Sequence, residues 1–359
     1  MTSSCLRRAA LSALIVLGAT AAFAQAPAPA PTAANPWVMG APFPEASEEV
    51  LGATAGGKLY VFAGLAPGWK PKALVFEYDP ASNQWAKKRP MRLASHHVAF
   101  ASLNNKIYAF GGFTLPDAGP PGWSPINNSW EYDPATDEWR ELAPMPTRRG
   151  AASAGAVNGK IYVTGGANSL PGVTENGIHP ARPHNVLPTV EEYDPATNSW
   201  TTKRALLLAR NHHVTVGAGN RLYAIGGRVG SAFISGTSNN VDLIEMYDPA
   251  ADLWSSRLRM PTARSAIAAG VYNNHLIVAG GEGQDQRTLS AFRSVEAFNT
   301  TLNRWEVLPS MRYPRHGLAG GVIGNRFYVV SGDGQSAASG IDHSAVPFNE
   351  ILALDLVLK

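Results

Sequence analysis

The sequence predicts an all-β protein made of six repeats, each folded as a four-stranded antiparallel sheet. Three landmarks recur in the same order along the chain and support this prediction. The first is a pair of small residues that ends an apolar run, at Ala63-Gly64, Gly111-Gly112, Gly165-Gly166, Gly226-Gly227, Gly280-Gly281 and Ser331-Gly332. The second is a turn motif, Tyr-Asp-Pro, that begins at Tyr78, Tyr132, Tyr193 and Tyr247 and degrades to Phe298-Asn299-Thr300. The third is a tryptophan seven residues after the start of that motif, at Trp85, Trp139, Trp200, Trp254 and Trp305.

The stretch Lys106–Met145 contains one complete copy of these landmarks. Its first residues, Lys-Ile-Tyr-Ala-Phe, form an apolar run, and the Gly pair ends this buried strand where positive φ or close backbone approach is needed. In the turn motif, Asp133 caps its own backbone and Pro134 presets φ, which predicts a tight turn. Tyr132 and Trp139 flank that turn as large side chains suited to a sheet surface. The stretch is therefore predicted to be strand, long loop, strand, tight turn and strand.

A period near fifty residues with these landmarks resembles the kelch-repeat family over almost the whole mature length. The resemblance implies a six-bladed kelch β-propeller with one four-stranded antiparallel blade per repeat. It says much less about function, because kelch propellers serve as enzymes, ligand receptors and protein-interaction modules.

The inner strand of each blade precedes the Gly pair and is rich in small and β-branched residues. We expect these strands, which crowd around the axis, at Ala99–Leu103, Ala152–Val157, Val214–Ala218, Ile267–Tyr272 and Leu318–Ile323. The loops after the Gly pairs are long, notably at residues 167–188 and 228–240, and long loops on a rigid scaffold often carry binding residues. Their alternative role is solvated surface of variable length.

The sixth repeat ends at Lys359 without a Trp-bearing fourth strand. The segment Asn35-Pro36-Trp37 has the Asn-x-Trp pattern that precedes Trp85 and Trp200 in other repeats. We therefore predict that the last blade is closed by this N-terminal strand, which would remove two exposed sheet edges.

The N-terminus has the features of an export signal. Residues 1–24 combine Arg7-Arg8, a short apolar stretch and an Ala-Phe-Ala cleavage site, which predicts a signal peptide of the general secretory type. Residues 25–34 form an Ala/Pro linker, and residues 35–359 form a single propeller domain. The expected location is the periplasm or the medium, between which the sequence does not decide.

Composition narrows the class of function. The chain of 359 residues is 45% hydrophobic and 16% charged, with a formal net charge of +3 that includes two leader arginines. No run of Lys or Arg accompanies this charge, so we expect no nucleic-acid partner. We also expect no membrane span and a monomer.

An alignment on the Gly pair reveals a column of basic residues. Seventeen residues before the second member of each pair stand Ser47, Ser95, Arg149, Arg210, Arg264 and Arg315. We call these four arginines the arginine column, and we expect them to ring one mouth of the central channel. Because a guanidinium forms paired hydrogen bonds with carboxylates, the column predicts an anionic ligand, with Asn211 and His212 beside it. In kelch relatives such arginines bind an acidic peptide or an acidic sugar, so both are candidate partners here. The alternative is that the arginines are ordinary repeat consensus and act as struts that pair with neighbouring blades.

Acidic residues and histidines follow the column in the other blades. Glu48 and Glu49 in the first blade, His96 and His97 in the second and His316 in the sixth are candidates for acid–base catalysis or a metal site. Since neighbouring residues of a strand face opposite ways, we expect at most one of each adjacent pair to enter a shared site. The usual alternative for such histidines is hydrogen bonding to the backbone. No metal-ligand spacing is present, so we expect neither a metal nor another cofactor.

One enzyme class is excluded by the cysteine count. Copper oxidases that resemble galactose oxidase need a Cys crosslinked to a Tyr, and Cys5 in the leader is the only cysteine of the chain. The leading expectation is therefore a binding module that recognises an anionic ligand or partner. The alternative is a carbohydrate-active enzyme, since the chain is similar in fold, size and export to periplasmic kelch mutarotases that act on sialic acid. An interaction module should expose apolar loop residues such as Trp69, Trp123 and Phe233, whereas an enzyme should bring a carboxylate and a His together in a pocket.

Overall fold

The computed structural model describes residues 35–67, 70–117, 122–169, 185–230, 239–284, 289–336 and 347–358. Within these residues, six four-stranded antiparallel sheets follow one another, and no α-helix is present. We call these sheets blades 1 to 6 and their strands a to d, from the channel outwards. The predicted all-β propeller with six four-stranded blades is thereby confirmed.

The strands of blades 1 to 3, in the order a to d, are Glu48–Ala55, Lys58–Ala66, Lys70–Asp79 and Gln84–Lys87; Ala99–Leu103, Lys106–Phe110, Ser129–Asp133 and Glu138–Glu141; and Ser153–Val157, Lys160–Thr164, Val190–Asp194 and Ser199–Lys203. Those of blades 4 to 6 are Val214–Ala218, Arg221–Ile225, Ile244–Asp248 and Leu253–Ser256; Ala268–Tyr272, His275–Ala279, Val295–Asn299 and Arg304–Leu308; and Ala319–Ile323, Arg326–Val330, Ile351–Asp355 and Val38–Met39. Short ribbons extend three of the loops between strands b and c, pairing Phe113–Thr114 with Ser124–Pro125, Ala167–Asn168 with Asn185–Val186, and Glu282–Gln284 with Leu289–Ala291.

Blade 6 takes its outer strand from the N-terminal side of the domain. Val38 pairs with Ala353 and Met39 with Leu352, directly after the Trp37 that the sequence pattern identified. The predicted closure by the N-terminal strand is confirmed, with the strand itself two residues long. The predicted signal peptide and linker, residues 1–34, lie outside the described residues.

A ring of tryptophans joins each blade to the one before it. In every blade the indole N–H donates to a backbone carbonyl that follows strand d of the preceding blade, at 2.8–3.1 Å. The six pairs are Trp37 with Pro309, Trp85 with Ala41, Trp139 with Arg89, Trp200 with Ala143, Trp254 with Arg204 and Trp305 with Leu258. The bond of Trp37 places the N-terminal segment in the same role as the five internal repeats.

The inner strands lie where the sequence places them, although three begin one residue later than predicted, at Ser153, Ala268 and Ala319. They approach one another closely because small residues line them. A Cβ atom on Gly52 would lie 2.4 Å from the Gly320 carbonyl oxygen of the neighbouring blade. Glycine at this position therefore permits backbone-to-backbone contact around the axis. Among the described residues there is no helix of the length and apolarity needed to cross a membrane.

Candidate functional site

The arginine column lies inside the blades and not on the channel surface. Arg149, Arg210, Arg264 and Arg315 are all fully buried, and none of them lines the central cavity. The expectation that their guanidinium groups ring the mouth is therefore wrong in position. The reason is the length of the Arg side chain, which reaches back along its own blade to strands b and c.

Each column arginine binds backbone carbonyls and one carboxylate of its blade. Arg264 donates to the carbonyls of Gly280 and Ser294 at 3.0 and 2.9 Å and to Glu296 Oε2 at 3.0 Å. The matching carboxylate pairs of the other blades are Arg149 with Glu191 at 2.9 Å, Arg210 with Glu245 at 3.3 Å and Arg315 with Glu350 at 2.6 Å.

Burial lowers the pKa of Arg149 and Arg264 to about 10 against the opposing effect of their glutamates, so both stay charged at neutral pH. The arginines are therefore struts, but within their own blades and not between neighbouring blades as the alternative expected. A direct ligand role for the column stays a prediction that only a binding measurement tests.

The residue two positions after each column member forms the mouth of the channel. These residues are Glu49, His97, Ala151, His212, Ala266 and Gly317, and all have a φ between 51° and 58°. Their left-handed backbone turns the chain from the crossing segment into the inner strand. Backbone hydrogen bonds then run from blade to blade: Ala151 N–H to His97, His212 N–H to Ala151, Ala266 N–H to His212, Gly317 N–H to Ala266 and Val50 N–H to Gly317. We call this set the mouth ring.

Below the mouth ring lies a cavity of about 370 Å³ that follows the propeller axis. Its wall consists of inner-strand residues from all six blades, most of them Ala, Gly, Val or Leu. The side chains of Glu49, His97 and His212 bring charge and hydrogen-bonding groups to its upper end. The cavity thus combines an apolar tube with a polar cap, which is the usual composition of a small-molecule site.

Glu49 and His97 form the central pair of this cap. Glu49 Oε2 lies 3.2 Å from His97 Nε2, and only 13% of the Glu49 side chain is exposed. Burial raises the pKa of Glu49, but the positive groups of His97, His316 and Arg228 outweigh burial and hold that pKa well below its usual range. Glu49 is therefore ionised at any physiological pH.

Of each adjacent pair, a single member lines the cavity: Glu49 and not Glu48, and His97 and not His96. This agrees with the expectation that at most one of each pair enters a shared site. His96 still contacts His97, because the φ of 53° at His97 interrupts the extended backbone there. Their Nδ1 atoms are 2.5 Å apart, so one imidazole donates to the other. Burial lowers the pKa of His96 well below its usual value, with a further contribution from His97. His96 is consequently neutral.

A second network extends from His212 across blades 4 to 6. His212 Nδ1 lies 2.6 Å from Asn211 Oδ1, and its Nε2 lies 2.9 Å from the Arg228 guanidinium. Because a guanidinium only donates, His212 Nε2 accepts and Nδ1 carries the proton. Arg228 also pairs with Glu282 Oε1 at 2.5 Å, and Ser336 donates to the other oxygen of Glu282 at 3.0 Å.

Arg228 and Glu282 belong to a column that the sequence alignment did not include. They stand directly after the Gly pair, at the position of Leu65, Phe113, Ala167 and Asp333 in the other blades. Their backbones pair with the residue after each column member, as in Asn211 with Arg228 and Ser265 with Glu282. An alignment of the six repeats at the residue after the Gly pair would have found them, because it shows a basic and an acidic residue in neighbouring repeats.

The remaining acidic and histidine candidates are buried at the same level. Glu48 is 1% exposed and its backbone pairs with Leu65, while His316 is fully buried and its backbone pairs with Asp333. Among the described residues there is no group of three or more His, Cys, Asp or Glu side chains arranged to hold a metal.

Trp123, which an interaction module should expose, is buried. Trp123 is 7% exposed and packs with Phe113, Ala151 and Ala167. Its ring centroid lies 4.9 Å from each of the imidazoles of His96 and His97. Trp123 thus packs against His97 and Ala151 of the mouth ring. Trp69 and Phe233 lie outside the described residues.

Exposed arginines are found in the segments that cross from one blade to the next. These crossing segments are residues 40–47, 88–98, 142–152, 204–213, 257–267 and 309–318, and they hold twelve Lys or Arg but only one acidic residue, Glu45. Glu45 forms an ion pair with Lys72, with 3.4 Å between Oε1 and Nζ. Six arginines of these segments are exposed: Arg89, Arg92, Arg148, Arg204, Arg259 and Arg312. We call the surface formed by Arg92, Arg148, Arg259 and Arg312, which come from four different segments, the crossing face.

Comparison with known proteins agrees with the fold. A family model described as "KLHDC2/KLHL20/DRC7 Kelch-repeats domain" matches residues 49–256, and the Kelch motif matches residues 263–312. Kelch-like protein 25 of Xenopus tropicalis is 30% identical over 203 residues, which is 56% of this chain and 32% of that protein. Kelch-like protein terF of Aspergillus terreus is 29% identical over 54% of this chain and 40% of its own length. Kelch-like protein 23 of Homo sapiens is 28% identical over 58% of this chain and 34% of its own length.

The matched part of the chain thus spans 32–40% of the length of these curated relatives. A solved structure, "Structure of YjhT", superimposes with a TM-score of 0.68 at 17% identity and covers 87% of this chain and 95% of that one. At that identity the likeness concerns the fold alone. Since the first family model covers more than half of its length, this chain belongs to the kelch-repeat family.

Proposed function

We propose that this protein is an exported interaction module that docks an acidic partner segment on the crossing face. Kelch-like relatives support a propeller that serves protein interaction. The observation that carries the proposal is the exposure of Arg92, Arg148 and Arg312 in crossing segments that hold a single acidic residue. Arg259 is exposed as well but pairs with Asp242, which lies outside these segments. In this proposal the anionic specificity that the sequence suggested belongs to the exposed arginines and not to the buried column.

The crossing face also offers apolar contact area beside these charges. Leu207 is 58% exposed and Tyr313 is 42% exposed, and both lie in crossing segments. Tyr313 stacks on Phe348 at 5.9 Å, which fixes its ring, and Arg312 lies 5.6 Å from the Tyr313 ring centroid. Aromatic residues and arginines of this kind are the residues that dominate binding energy at protein interfaces. The partner that fits is an acidic peptide or loop with interspersed apolar side chains.

A selection from a random peptide library displayed on phage, with the mature chain as bait, tests the proposal. We expect the selected peptides to carry net negative charge and to bind more weakly as salt rises, because exposed charges are screened. The double variant Arg92→Glu/Arg312→Glu should weaken binding at least tenfold. The matched control Lys87→Glu/Arg304→Glu changes two exposed outer-strand cations and should bind as the wild type does. Neutral or basic selected peptides, or equal loss in both variants, would overturn the proposal.

Export is the second part of the proposal. It is supported by the leader pattern of residues 1–24 and by the small-residue site before Gln25. Expression of the full-length chain with fractionation should yield a periplasmic or secreted protein whose mass corresponds to a start at or near Gln25. A cytoplasmic protein that retains Met1 would contradict it.

A carbohydrate-active enzyme remains the second candidate, because Glu49 and His97 converge at the end of a cavity. In a sugar mutarotase, a carboxylate takes the proton of the anomeric hydroxyl while a protonated imidazole gives one to the ring oxygen. The ring C–O bond then breaks and closes again on the other face, with both protons returned. If this chain accelerates anomer exchange of sialic acid, measured by NMR, then Glu49→Gln should slow it by about a hundredfold or more. If the wild-type protein leaves anomer exchange at the uncatalysed rate, this candidate is eliminated. The proposal for the crossing face does not depend on that result.

A further inference from the structure

We propose that the contact between blades 3 and 4 is an acid-sensitive interface, which opens when His213 takes up a proton while the other blade interfaces stay closed. This device does not involve the crossing face and does not depend on the function proposed for that face. The inference comes from the polar residues that replace an apolar pair at this interface, and from the burial and the neighbours of His213.

Among the described residues, five of the six blade interfaces share an apolar contact at a fixed position. The residue before each Gly pair packs in one group of core side chains with the residue three positions after the column position of the next blade. These pairs are Phe62 with Val98, Phe110 with Ala152, Ile225 with Ile267, Ala279 with Leu318 and Val330 with Val50. Between blades 3 and 4 the corresponding residues are Thr164 and His213, so this interface is polar where the others are apolar.

Hydrogen bonds hold this polar interface together. Thr164 Oγ1 lies 2.8 Å from His213 Nε2 and 2.7 Å from Thr215 Oγ1. The backbone N–H of Thr215 donates to Ser153 Oγ at 2.7 Å. Thr164 and Ser153 belong to blade 3, whereas Thr215 lies on strand a of blade 4 and His213 directly precedes that strand. The two blades are therefore joined by hydrogen bonds that a neutral imidazole completes in either tautomer.

The surroundings of His213 disfavour a positive charge on its imidazole. The residue is 4% exposed, and its Nδ1 has no hydrogen-bond partner within the described part of the chain. Its ring lies against Gly165, where a Cβ would be 2.6 Å from Cε1, and the Gly165 carbonyl accepts from Arg149. Burial lowers the pKa of His213 well below its usual value, and Arg210 and Arg149 lower it further. A protonated imidazole would thus be desolvated beside two cations.

The charged groups around His213 do not supply a carboxylate partner among the residues that the structure describes. The carboxylates beside the two cations are engaged in the ion pairs of the arginine column, Glu191 with Arg149 and Glu245 with Arg210. The adjacent His212 lies at the mouth, where it binds Asn211 and Arg228. A proton on His213 would therefore add a charge that its neighbours do not neutralise.

Acidification acts on this interface in a defined direction. The folded pKa of His213 lies below the usual value of 6.5, so its neutral form stabilises the closed interface. That contribution is complete above about pH 6.5 and is lost as the pH falls towards the folded pKa, because the open state takes up a proton that the closed state does not. The expected result is a local separation of blades 3 and 4 in weak acid.

Hydrogen exchange of the wild-type protein at pH 7 and pH 5, corrected for intrinsic rates, locates the opening. Amides of Lys160–Thr164 and Val214–Ala218, which flank the polar interface, should lose protection by at least about tenfold at pH 5. Amides of Arg221–Ile225 and Ala268–Tyr272, which flank the apolar interface of blades 4 and 5, should lose clearly less. Equal loss at the two interfaces, or unchanged protection between blades 3 and 4, would overturn the proposal.

A variant that does not titrate at this position then tests His213 itself. His213→Gln keeps a polar side chain for Thr164 and removes the proton uptake. The ratio of the unfolding equilibrium constants of wild type and variant, from urea titrations, should rise about tenfold from pH 6 to pH 5. The control Thr215→Val removes a hydroxyl from the same interface and should keep the pH dependence of the wild type. Since His96 and Glu49 are present in all three proteins, a ratio of wild type to His213→Gln that stays constant would show that His213 does not sense acid.

Discussion

At the scale of single residues, a buried arginine in each of blades 3 to 6 ties the segment before strand a to strands b and c. In blade 5 the Arg264 guanidinium satisfies carbonyls at the ends of strands b and c and neutralises Glu296 on strand c. Charged groups so deep in a protein are tolerated only when every partner is in place. Losing one member of such a set leaves the others buried and unpaired, which is where the largest destabilisation arises.

Arg264→Ala should therefore lower the free energy of unfolding by about 3–5 kcal/mol, because Glu296 and two carbonyls lose their donor. The control Arg259→Ala lies in the same crossing segment, with a side chain 67% exposed and paired with Asp242, and should cost less than about 1 kcal/mol. Urea unfolding of both variants measures the difference. Equal, small effects would show that the column does not act as a strut.

Glu49 links stability to pH in a defined direction. Its folded pKa lies below the usual value of 4.5, so ionised Glu49 favours the folded state. This contribution is complete above about pH 4.5 and is lost as the pH falls through the folded pKa. The gap in the free energy of unfolding between wild type and Glu49→Gln should thus be widest above pH 5 and should shrink towards pH 3. Urea titrations at pH 6, 4 and 3 measure it, and a gap that stays constant would contradict the assignment.

At the scale of elements, the Gly pair is the point where strand b approaches the segment that leads into strand a of the same blade. Gly227 has a φ of 96°, and a Cβ there would lie 2.7 Å from the Asn211 carbonyl oxygen. Gly219, in the turn between strands a and b, also has positive φ, but a Cβ there would meet nothing within 4 Å. An alanine at Gly219 would therefore introduce backbone strain alone, whereas an alanine at Gly227 would introduce both strain and a steric clash.

Gly219→Ala should cost about 1 kcal/mol for the left-handed backbone alone. Gly227→Ala should cost clearly more, because strain and overlap with the Asn211 backbone add to each other. Thermal unfolding of the two variants makes the comparison. Should they melt together, the close approach at the Gly pair would not contribute to stability.

The repeat landmarks predicted the elements well because each has a local physical cause. Gly pairs, Tyr-Asp-Pro turns and tryptophans depend on backbone geometry and sheet packing, both of which a single repeat displays. The mouth ring could not be predicted from the sequence, because alanine does not indicate the left-handed backbone that Ala151 and Ala266 adopt. Arg228 and Glu282 were missed for another reason: they pair between blades, and no single repeat contains both.

At the scale of the whole molecule, the ring depends on joining the two ends of the domain. The N-terminal segment supplies Trp37, 9% exposed, and Phe43, 1% exposed, besides two residues of strand. The Trp85 indole of blade 1 donates to Ala41, so blade 1 also depends on this segment. Closure thus rests on buried side chains and on hydrogen bonds to both neighbouring blades.

Deleting residues 35–44 should therefore unfold or aggregate the protein. The loss of two buried aromatic side chains alone corresponds to about 3–5 kcal/mol each, and the unpaired edge of Ile351–Asp355 would become a template for association. Deleting residues 25–34 should leave the melting temperature within about 1 °C of that of a chain that starts at Gln25, because a stretch of Ala and Pro cannot add to a core. Melting curves and light scattering on both truncations give the comparison. A synthetic peptide of residues 35–46, added to the shorter chain, should restore part of the melting temperature if the strand itself closes the ring. If both truncations are monomers and melt at the same temperature as the chain that starts at Gln25, blade 6 does not need this strand and the N-terminal closure plays no part in stability.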